Sequence, residues 1–248
     1  MKRDISKTDL SSQLRNFTTA RIGIGRTGNS IPLKQSMEFK LAHAHARDAV
    51  YSMLDVDGLT AKSAIFGLPV FHLHSQATGR HKYLKRPDLG RLLDDESKEK
   101  LKGYSPADIV IIIADGLSAE AVNENSLGLL NLLIPKLTDA NLNIAAICLV
   151  EQGRVAIGDD IGFSLGARFS LLLVGERPGL SAADSMGAYL TYNPRPTLTD
   201  ESRNCVSNIR KHGLSYRLAA DKIFYLIKEA FLRKISGIAL KDNEGLLK

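Results

Sequence analysis

Short apolar runs bounded by turn residues recur through the second half of the chain. The clearest run covers residues 169–174, Phe-Ser-Leu-Leu-Leu-Val, and it ends in the loop Gly-Glu-Arg-Pro-Gly. A run this short and this apolar predicts a strand that is buried on both faces of a parallel sheet. Three further runs, at residues 109–114, 144–150 and 188–192, predict three more strands.

Helical patterns lie between and after these strands. Residues 119–140 carry apolar side chains three and four positions apart, which is the spacing of one helical face. Residues 159–167 predict a short helix and residues 216–236 a long one, which Ser215 is placed to cap. Strands that alternate with helices are typical of an α/β fold, so we predict a doubly wound parallel sheet.

The first hundred residues predict mainly helices. Residues 4–17 have the apolar spacing of a short amphipathic helix, and a serine followed by an early proline predicts a longer helix over residues 32–54. A charged helix is predicted over residues 94–102, and a glycine and a proline after it mark a break. We therefore predict a helical N-terminal part over residues 1–103 and a sheet domain over residues 104–248.

Glycine-containing loops follow three of the predicted strands. They lie around Asp115, Val155 and Glu176. Ligands of open α/β sheets bind in the crevice outside the carboxyl ends of the strands, so these loops are candidate binding elements. The charged pair Glu176 and Arg177 fits two interpretations equally well, a ligand-binding role and a turn that exposes its charges to solvent. Loops with so few acid–base residues suit a large cofactor that brings its own chemistry.

An earlier glycine-rich segment offers an alternative function. Gly23, Gly25 and Gly28 match the pattern G-x-G-x-x-G. A dinucleotide site needs a strand before this pattern and a helix that opens at its last glycine. Here the preceding residues make a poor strand and Ser-Ile-Pro follows, so we interpret the segment as a glycine-rich loop. A separate nucleotide-binding α/β protein that uses these three glycines remains the alternative reading.

Composition and charge narrow the classes of protein. The chain has 248 residues and is 44% hydrophobic, which is enough for a packed core. The formal net charge is +6, but Lys and Arg are spread along the chain without a recognition-helix pattern, so nucleic-acid binding is not expected. No apolar stretch approaches the ~20 residues of a membrane helix. Two cysteines and an N-terminus without an apolar segment favour a reducing cytoplasmic setting.

The sequence lacks the common catalytic and metal-binding motifs. There is no G-x-S-x-G elbow, Walker A loop, H-E-x-x-H helix or paired-cysteine motif. The D-x-H-x-x-G pattern of proteins that place a histidine on the cobalt of cobalamin is also absent. His43 and His45 are two positions apart, as are His72 and His74, and no third ligand is obvious for either pair. We therefore assign this chain no catalytic residue and no metal ligand.

Nine short segments, in their order and at their spacing, resemble the small (light) subunit of ethanolamine ammonia-lyase, an adenosylcobalamin-dependent enzyme. Each segment alone is weak, but together they extend over nearly the whole chain from Ala20 to Asp242. The segments are ARIGIGRTG at 20–28, HAHARDAV at 43–50, YLKRPDLGR at 83–91, ADGLS at 114–118, GRVAIGD at 153–159, VGERPGL at 174–180, GAYLTY at 187–192, RNCVSNI at 203–209 and SGIALKD at 236–242.

The resemblance implies a reaction, a cofactor and a partner. Members of this family are carbon–nitrogen lyases that convert ethanolamine to acetaldehyde and ammonia by radical chemistry of adenosylcobalamin. The large subunit, a TIM-type barrel, supplies most of the contacts to the substrate ethanolamine. The small subunit covers the other face of the cofactor with a Rossmann-like domain that follows a helical part. The cofactor keeps its own base on cobalt. This chain would therefore act in a hetero-oligomer and be inactive without the large subunit.

The resemblance also implies three cofactor-binding residues. Val155 would meet the corrin periphery, Glu176 would accept hydrogen bonds from corrin amides or the nucleotide tail, and Cys205 would pack against the cofactor. Without the resemblance, Cys205 would be interpreted as an ordinary buried thiol. Residues 1–103 would contact the partner and residues 104–248 the cobalamin. We expect a cytoplasmic enzyme, either free or inside a bacterial microcompartment, that binds neither membrane nor nucleic acid.

Overall fold

A computed structural model of the protein describes residues 13–242 except residues 15, 19 and 105. The helix predicted over residues 4–17 lies largely outside these described residues. The described part is a mixed α/β fold built on a six-stranded sheet. The strands are β1 (Val70–His74), β2 (Ile109–Ala114), β3 (Ile144–Glu151), β4 (Phe169–Gly175), β5 (Met186–Tyr192) and β6 (Asn204–Ile209). The helices are α1 (Leu33–Tyr51), α2 (Val56–Ser63), α3 (Arg80–Lys85), α4 (Asp95–Lys100), α5 (Ala119–Asp139), α6 (Ile157–Ser164) and α7 (Tyr216–Arg233).

The sheet is mixed, with the strand order β1-β3-β2-β4-β5-β6. Strands β1, β3, β2 and β4 run parallel, whereas β5 is antiparallel to β4 and β6 is antiparallel to β5. The prediction of a doubly wound parallel sheet is therefore wrong for β5, and it does not include the antiparallel strand β6. The reason is the length of one connection. Strand β4 ends at Gly175 and β5 begins at Met186, which leaves room for a turn but not for a crossover helix.

Helices cover both faces of the sheet. Every side chain of β2 is buried, and successive side chains enter cores on opposite faces. Ile111 packs in the core that α5 and α7 share, and Ile112 packs in the core that contains α6. A strand covered on both sides is apolar along nearly its whole length, which is why the sequence predicts β2 and β4 with nearly their observed bounds.

Serine side chains cap the two long helices beside the sheet. At the start of α5 the Ala121 N–H donates to Ser118 Oγ at 3.2 Å. At the start of α7 the Leu218 N–H donates to Ser215 Oγ at 3.5 Å, as predicted. Helix α7 stops before its predicted end at residue 236, because Lys234 adopts the left-handed conformation with a φ of 58°.

The N-terminal part is helical as predicted, but it also supplies a strand. Helix α1 follows Pro32, and Ala49 is its one buried residue, while Leu33 at its start is exposed. Strand β1 pairs in parallel with β3, so this part of the chain is built into the sheet. The division at residue 103 stays a prediction. Among the described helices, none combines the length and the apolar character needed to cross a membrane.

Strand β6 is not predicted from the sequence. It reads Asn-Cys-Val-Ser-Asn-Ile, and only Val206 and Ile209 of the strand are buried. It forms an outer edge of the sheet, where half of its side chains face solvent. The apolar-run criterion that finds central strands therefore does not find this one.

We expect Gly175→Ala to destabilise the protein strongly. A Cβ at Gly175 would overlap the Ser118 carbonyl oxygen and lie 2.6 Å from the Asp115 carbonyl oxygen, so the backbone would have to move. The free energy of unfolding should fall by about 3 kcal/mol or more, measured by circular dichroism in urea. Gly179→Ala in the same loop is the control, because the nearest atom to its Cβ is 3.8 Å away. Equal stability of the two variants would contradict this packing.

Candidate functional site at the carboxyl edge of the sheet

Three strand-end loops touch one another at the carboxyl edge of the sheet. They are the loops after β2, β3 and β4, which the sequence singles out as candidate binding elements. The Leu117 N–H donates to the Gly175 carbonyl at 2.9 Å, and Gly116, with a φ of 56°, has no room for a Cβ against Gly175. A Cβ at Gly153 would lie 2.9 Å from the Ala114 Cβ. Glycine at these positions allows the loops to approach so closely.

The chain leaves two neighbouring strands toward opposite faces of the sheet. The loop after β2 leads into α5, which packs in one core, and the loop after β3 leads into α6, which packs in the other. Diverging loops open a crevice outside the carboxyl ends of the two strands, and such crevices bind the ligands of open α/β sheets. The topology therefore places a candidate site at this edge.

Asp115 joins the first two loops. It is buried at the end of β2, and its carboxylate accepts from the backbone N–H groups of Gln152 at 2.9 Å and Gly153 at 3.0 Å. Arg80 Nη1 lies 3.5 Å from the same carboxylate and donates to the Gly116 carbonyl at 2.9 Å. Burial raises the pKa of Asp115 to about 6, although the two N–H groups and the Arg80 charge act in the opposite direction.

Tyr83 is buried behind the crevice, between two arginines. Its ring centre lies 4.8 Å from the Arg80 guanidinium carbon and 4.3 Å from that of Arg154. Its hydroxyl donates to the Gly153 carbonyl at 3.1 Å, and Arg154 Nη2 donates to the Tyr83 carbonyl at 3.1 Å. Arg80 Nε donates to the Val50 carbonyl of α1 at 2.6 Å. These contacts fix the loop after β3 and connect it to the N-terminal helix.

Two adjoining crevices open over this edge. The first, of about 420 Å³, lies between the loops after β2, β3 and β4 and is lined by both Val155 and Glu176. The second, of about 430 Å³, is lined by Val155 again and by Arg91 and Asp200. Tyr189 of β5 lines both. Val155 and Glu176, which the sequence places on two different loops, therefore lie on one continuous surface.

Glu176 is held by residues from β5, β6 and the connection before β5. Its Oε2 accepts from Ser185 Oγ at 2.5 Å and from the Asn208 N–H at 3.3 Å. The Glu176 N–H donates to the Ser185 carbonyl at 2.9 Å. The carboxylate lies against Gly187, where a Cβ would come within 2.9 Å of Oε1. The side chain is thus half-buried and oriented before any ligand arrives.

Residues 8–241 match the sequence model of the family described as ethanolamine ammonia-lyase light chain (EutC). The chain belongs to the ethanolamine ammonia-lyase light-chain family. The ethanolamine ammonia-lyase small subunit of Pseudomonas fluorescens (strain SBW25) is 48% identical over 236 residues, which cover 93% of this chain and 85% of that protein. The small subunit of Rhodopseudomonas palustris (strain BisA53) is 49% identical over 235 residues, which cover 94% of this chain and 90% of that protein. The small subunit of Xanthomonas campestris pv. campestris is 48% identical over 240 residues, which cover 95% of this chain and 88% of that protein.

In this member of the light-chain family, Cys205 stands on the edge strand β6, directly opposite Tyr189 of β5. The Tyr189 side chain interacts with the Cys205 thiol across the two strands, and this interaction lowers the pKa of the thiol. Desolvation raises the pKa of the thiol, and the negative charge of Glu176 raises it further. Cys205 is exposed, whereas Cys148 is buried in the sheet. Cys205, the third predicted residue, is therefore connected to Val155 through their common neighbour Tyr189 and to Glu176 through the charge of its carboxylate.

The sequence does not reveal the residues that support Glu176 and Cys205. Ser185, Gly187 and Asn208 hold the Glu176 carboxylate, but they become neighbours only through the antiparallel register of β4, β5 and β6. Tyr189 lies in a strand that the sequence predicts, yet nothing in the pattern shows that β6 pairs beside it. The available signals are two segments of the family resemblance, GAYLTY with Gly187 and Tyr189 and RNCVSNI with Asn208.

The glycine-rich loop at residues 23–28 does not form a dinucleotide fingerprint. Gly23, Gly25 and Gly28 have φ values of 57°, 77° and 61°. Among the described residues no strand precedes them, and α1 begins only at Leu33. The segment around them borders a separate pocket of about 380 Å³ against Phe39 of α1. The nucleotide-binding alternative is therefore not supported.

We expect the stability of the protein to depend on pH through Asp115. Its pKa is about 6 in the folded state against 3.8 when unperturbed, so the folded state binds this proton more tightly. Stability should therefore fall as the pH rises from 4 through 6, by at most about 3 kcal/mol relative to Asp115→Asn, which does not titrate. Urea denaturation followed by circular dichroism at several pH values measures the difference. A difference between the two proteins that is constant with pH would refute this assignment.

Proposed function

We propose that this chain is the small subunit of ethanolamine ammonia-lyase and that, with the large subunit, it holds adenosylcobalamin while ethanolamine is converted to acetaldehyde and ammonia. The observation that carries the cofactor assignment is the single surface on which Val155 and Glu176 lie, with Cys205 paired opposite Tyr189 at its border. Family membership over residues 8–241 supports the enzyme assignment. The relatives are named small subunits, which supports a large-subunit partner.

The chemistry of the surface fits the periphery of a corrinoid. Cobalamin has a broad apolar ring edged by amide side chains, each with N–H donors and a carbonyl acceptor, and a phosphodiester in its nucleotide tail. Val155 and the ring of Tyr189 offer apolar contact, and the Glu176 carboxylate accepts from amide N–H groups. Arg91 and Arg154 are guanidinium donors for carbonyl or phosphate oxygens.

The two crevices suit one side of a large cofactor. Each measures about 420 to 430 Å³, and together they line an open edge rather than an enclosed cavity. A drug-sized ligand in an ordinary pocket has most of its surface buried by one chain. A corrinoid is larger than such a ligand, so these two crevices leave much of its surface for a second protein wall to cover. The open form of the site thus supports a cofactor shared between two subunits.

The residues of this chain position the cofactor rather than move protons. Ser185 and Asn208 already donate to Oε2 of Glu176, which leaves Oε1 to accept from a cofactor amide. The bound adenosylcobalamin supplies the radical chemistry. Ethanolamine is assigned mainly to the large subunit, and no residue of this chain is assigned a catalytic role.

We assign the contact with the large subunit to the N-terminal region, residues 1–103. Apolar side chains are exposed on and beside α1, with Leu33 at 79% and Met53 at 81%. The finer assignments rest on the family resemblance alone. They are a Rossmann-like cobalamin-contacting domain over residues 104–248, a cofactor that keeps its own base on cobalt, and a cytoplasmic enzyme that is either free or inside a bacterial microcompartment.

The proposed function predicts activity only in the assembled pair. This chain should be expressed alone and together with a candidate large subunit, and both samples assayed for ammonia release from ethanolamine. We expect cobalamin binding, followed by the absorbance of the corrin, and ammonia release in the pair alone. Activity of the single chain, or a pair that binds no cobalamin, would refute the assignment.

We expect Glu176→Gln to weaken cofactor binding in the assembled enzyme. A neutral amide accepts hydrogen bonds more weakly than a carboxylate, and its NH₂ group cannot accept the hydrogen bonds that Ser185 and Asn208 donate to Oε2. The loss should be about 10- to 100-fold in Kd for cyanocobalamin, with the fold intact. Gly187→Ala should have a similar but smaller effect, since its Cβ would push the Glu176 carboxylate aside. Glu229→Gln is the control, because Glu229 pairs with Arg233 near the end of α7. Unchanged affinity in Glu176→Gln would remove Glu176 from the site.

A further inference from the structure

Tyr189 lies between the residues assigned to the cofactor. In the sheet it is aligned with Leu172 of β4 and Cys205 of β6. Directly opposed residues of antiparallel strands point to the same face, so the Tyr189 ring and the Cys205 thiol share a face. Tyr189 and Val155 both pack at the margin of the core that contains α6, and both line the two crevices. One ring therefore connects the positions of Val155 and Cys205.

The side chains of Tyr189 and Cys205 are neighbours across the two strands, and their interaction lowers the pKa of the Cys205 thiol. A neighbouring hydroxyl lowers a thiol pKa by donating to the sulfur, which leaves the S–H of Cys205 to donate to another acceptor. Burial raises the pKa of Tyr189, and desolvation raises that of Cys205, so both groups keep their protons at neutral pH. A protonated thiol is a weak hydrogen-bond donor and a poor nucleophile, which suits contact with a carbonyl rather than covalent chemistry.

The same strand carries a second tyrosine that faces the other way. Tyr192 is half-buried like Tyr189, but it packs in the opposite core, where its ring meets Phe231 edge-on at 5.9 Å. Loss of either ring removes a similar half-buried aromatic group from β5. Tyr192 is therefore a matched control for effects that come from the stability of the strand.

We propose that Tyr189 is a further cofactor-contacting residue, whose ring forms the apolar surface between Val155 and Cys205 and whose hydroxyl directs the Cys205 thiol toward the amide carbonyls of cobalamin. This inference rests on the proposed function, which supplies the identity of the ligand. Tyrosine suits the role because its rigid ring contributes apolar area with little loss of conformational freedom, while its hydroxyl remains available for a hydrogen bond.

The test measures binding of cyanocobalamin to the complex of this chain with the large subunit, by absorbance after equilibrium dialysis. Tyr189→Leu, which loses the ring contact, should raise Kd about 10- to 100-fold, and Tyr189→Phe, which loses only the hydroxyl, about 3- to 10-fold. Tyr192→Leu should leave Kd within about twofold of the wild type. A wild-type complex that binds cobalamin while Tyr189→Leu binds it equally well overturns this inference and leaves the proposed function intact. A wild-type complex that binds none overturns both.

A second readout follows the thiol itself and uses Tyr189→Phe, which keeps the ring and so preserves assembly. Alkylation of Cys205 by iodoacetamide is measured by mass spectrometry of the peptide that contains it, with and without cyanocobalamin. Bound cobalamin should slow alkylation of the wild type at least about tenfold, because the thiol then faces the cofactor. Without cobalamin, Tyr189→Phe should react a few-fold more slowly than the wild type, since the lost donor no longer lowers the thiol pKa. Equal rates in the two proteins overturn the orienting role of the hydroxyl.

Discussion

The two hydrogen bonds that the Asp115 carboxylate accepts from the backbone of Gln152 and Gly153 hold the carboxyl edge of the sheet together. The backbone hydrogen bonds between β2 and β3 end here, and the loops that follow the two strands lead to opposite faces of the sheet. A buried carboxylate is costly unless hydrogen bonds and a counter-charge compensate it, and Arg80 supplies the charge. The position of Val155, just beyond Gly153, follows from this junction.

The antiparallel end of the sheet completes the site. A parallel strand after β4 would have required a crossover helix in the connection that now carries Glu176. Instead the chain turns back at once, and β5 and β6 bring Tyr189 and Cys205 to the face on which Val155 packs. Ser185 and Asn208 then hold the Glu176 carboxylate from the returning strands. The departure from the predicted topology is thus the feature that assembles the candidate residues.

The sequence predicts those parts of the fold that burial determines. Strands β2 and β4 are covered on both faces, so their composition alone marks them, and the loops with Val155 and Glu176 follow from where these strands end. Half of the residues of strand β6 are exposed to solvent, and because several of them are polar, the search for apolar runs does not detect this strand. Cys205 is accordingly found only through the family resemblance, and the contact of Tyr189 with it depends on a strand register that no local pattern encodes.

Arg80 connects the end of helix α1 to the loop after β2. Its Nε bonds the Val50 carbonyl near the end of α1, and its Nη1 bonds the Gly116 carbonyl beside Asp115. If docking of the large subunit shifts the end of α1, this one side chain transmits the shift to the crevice. Under the proposed function, any factor by which the large subunit tightens cobalamin binding must equal the factor by which cobalamin tightens the association of the subunits. Assembly and cofactor loading would in that case be coupled equilibria.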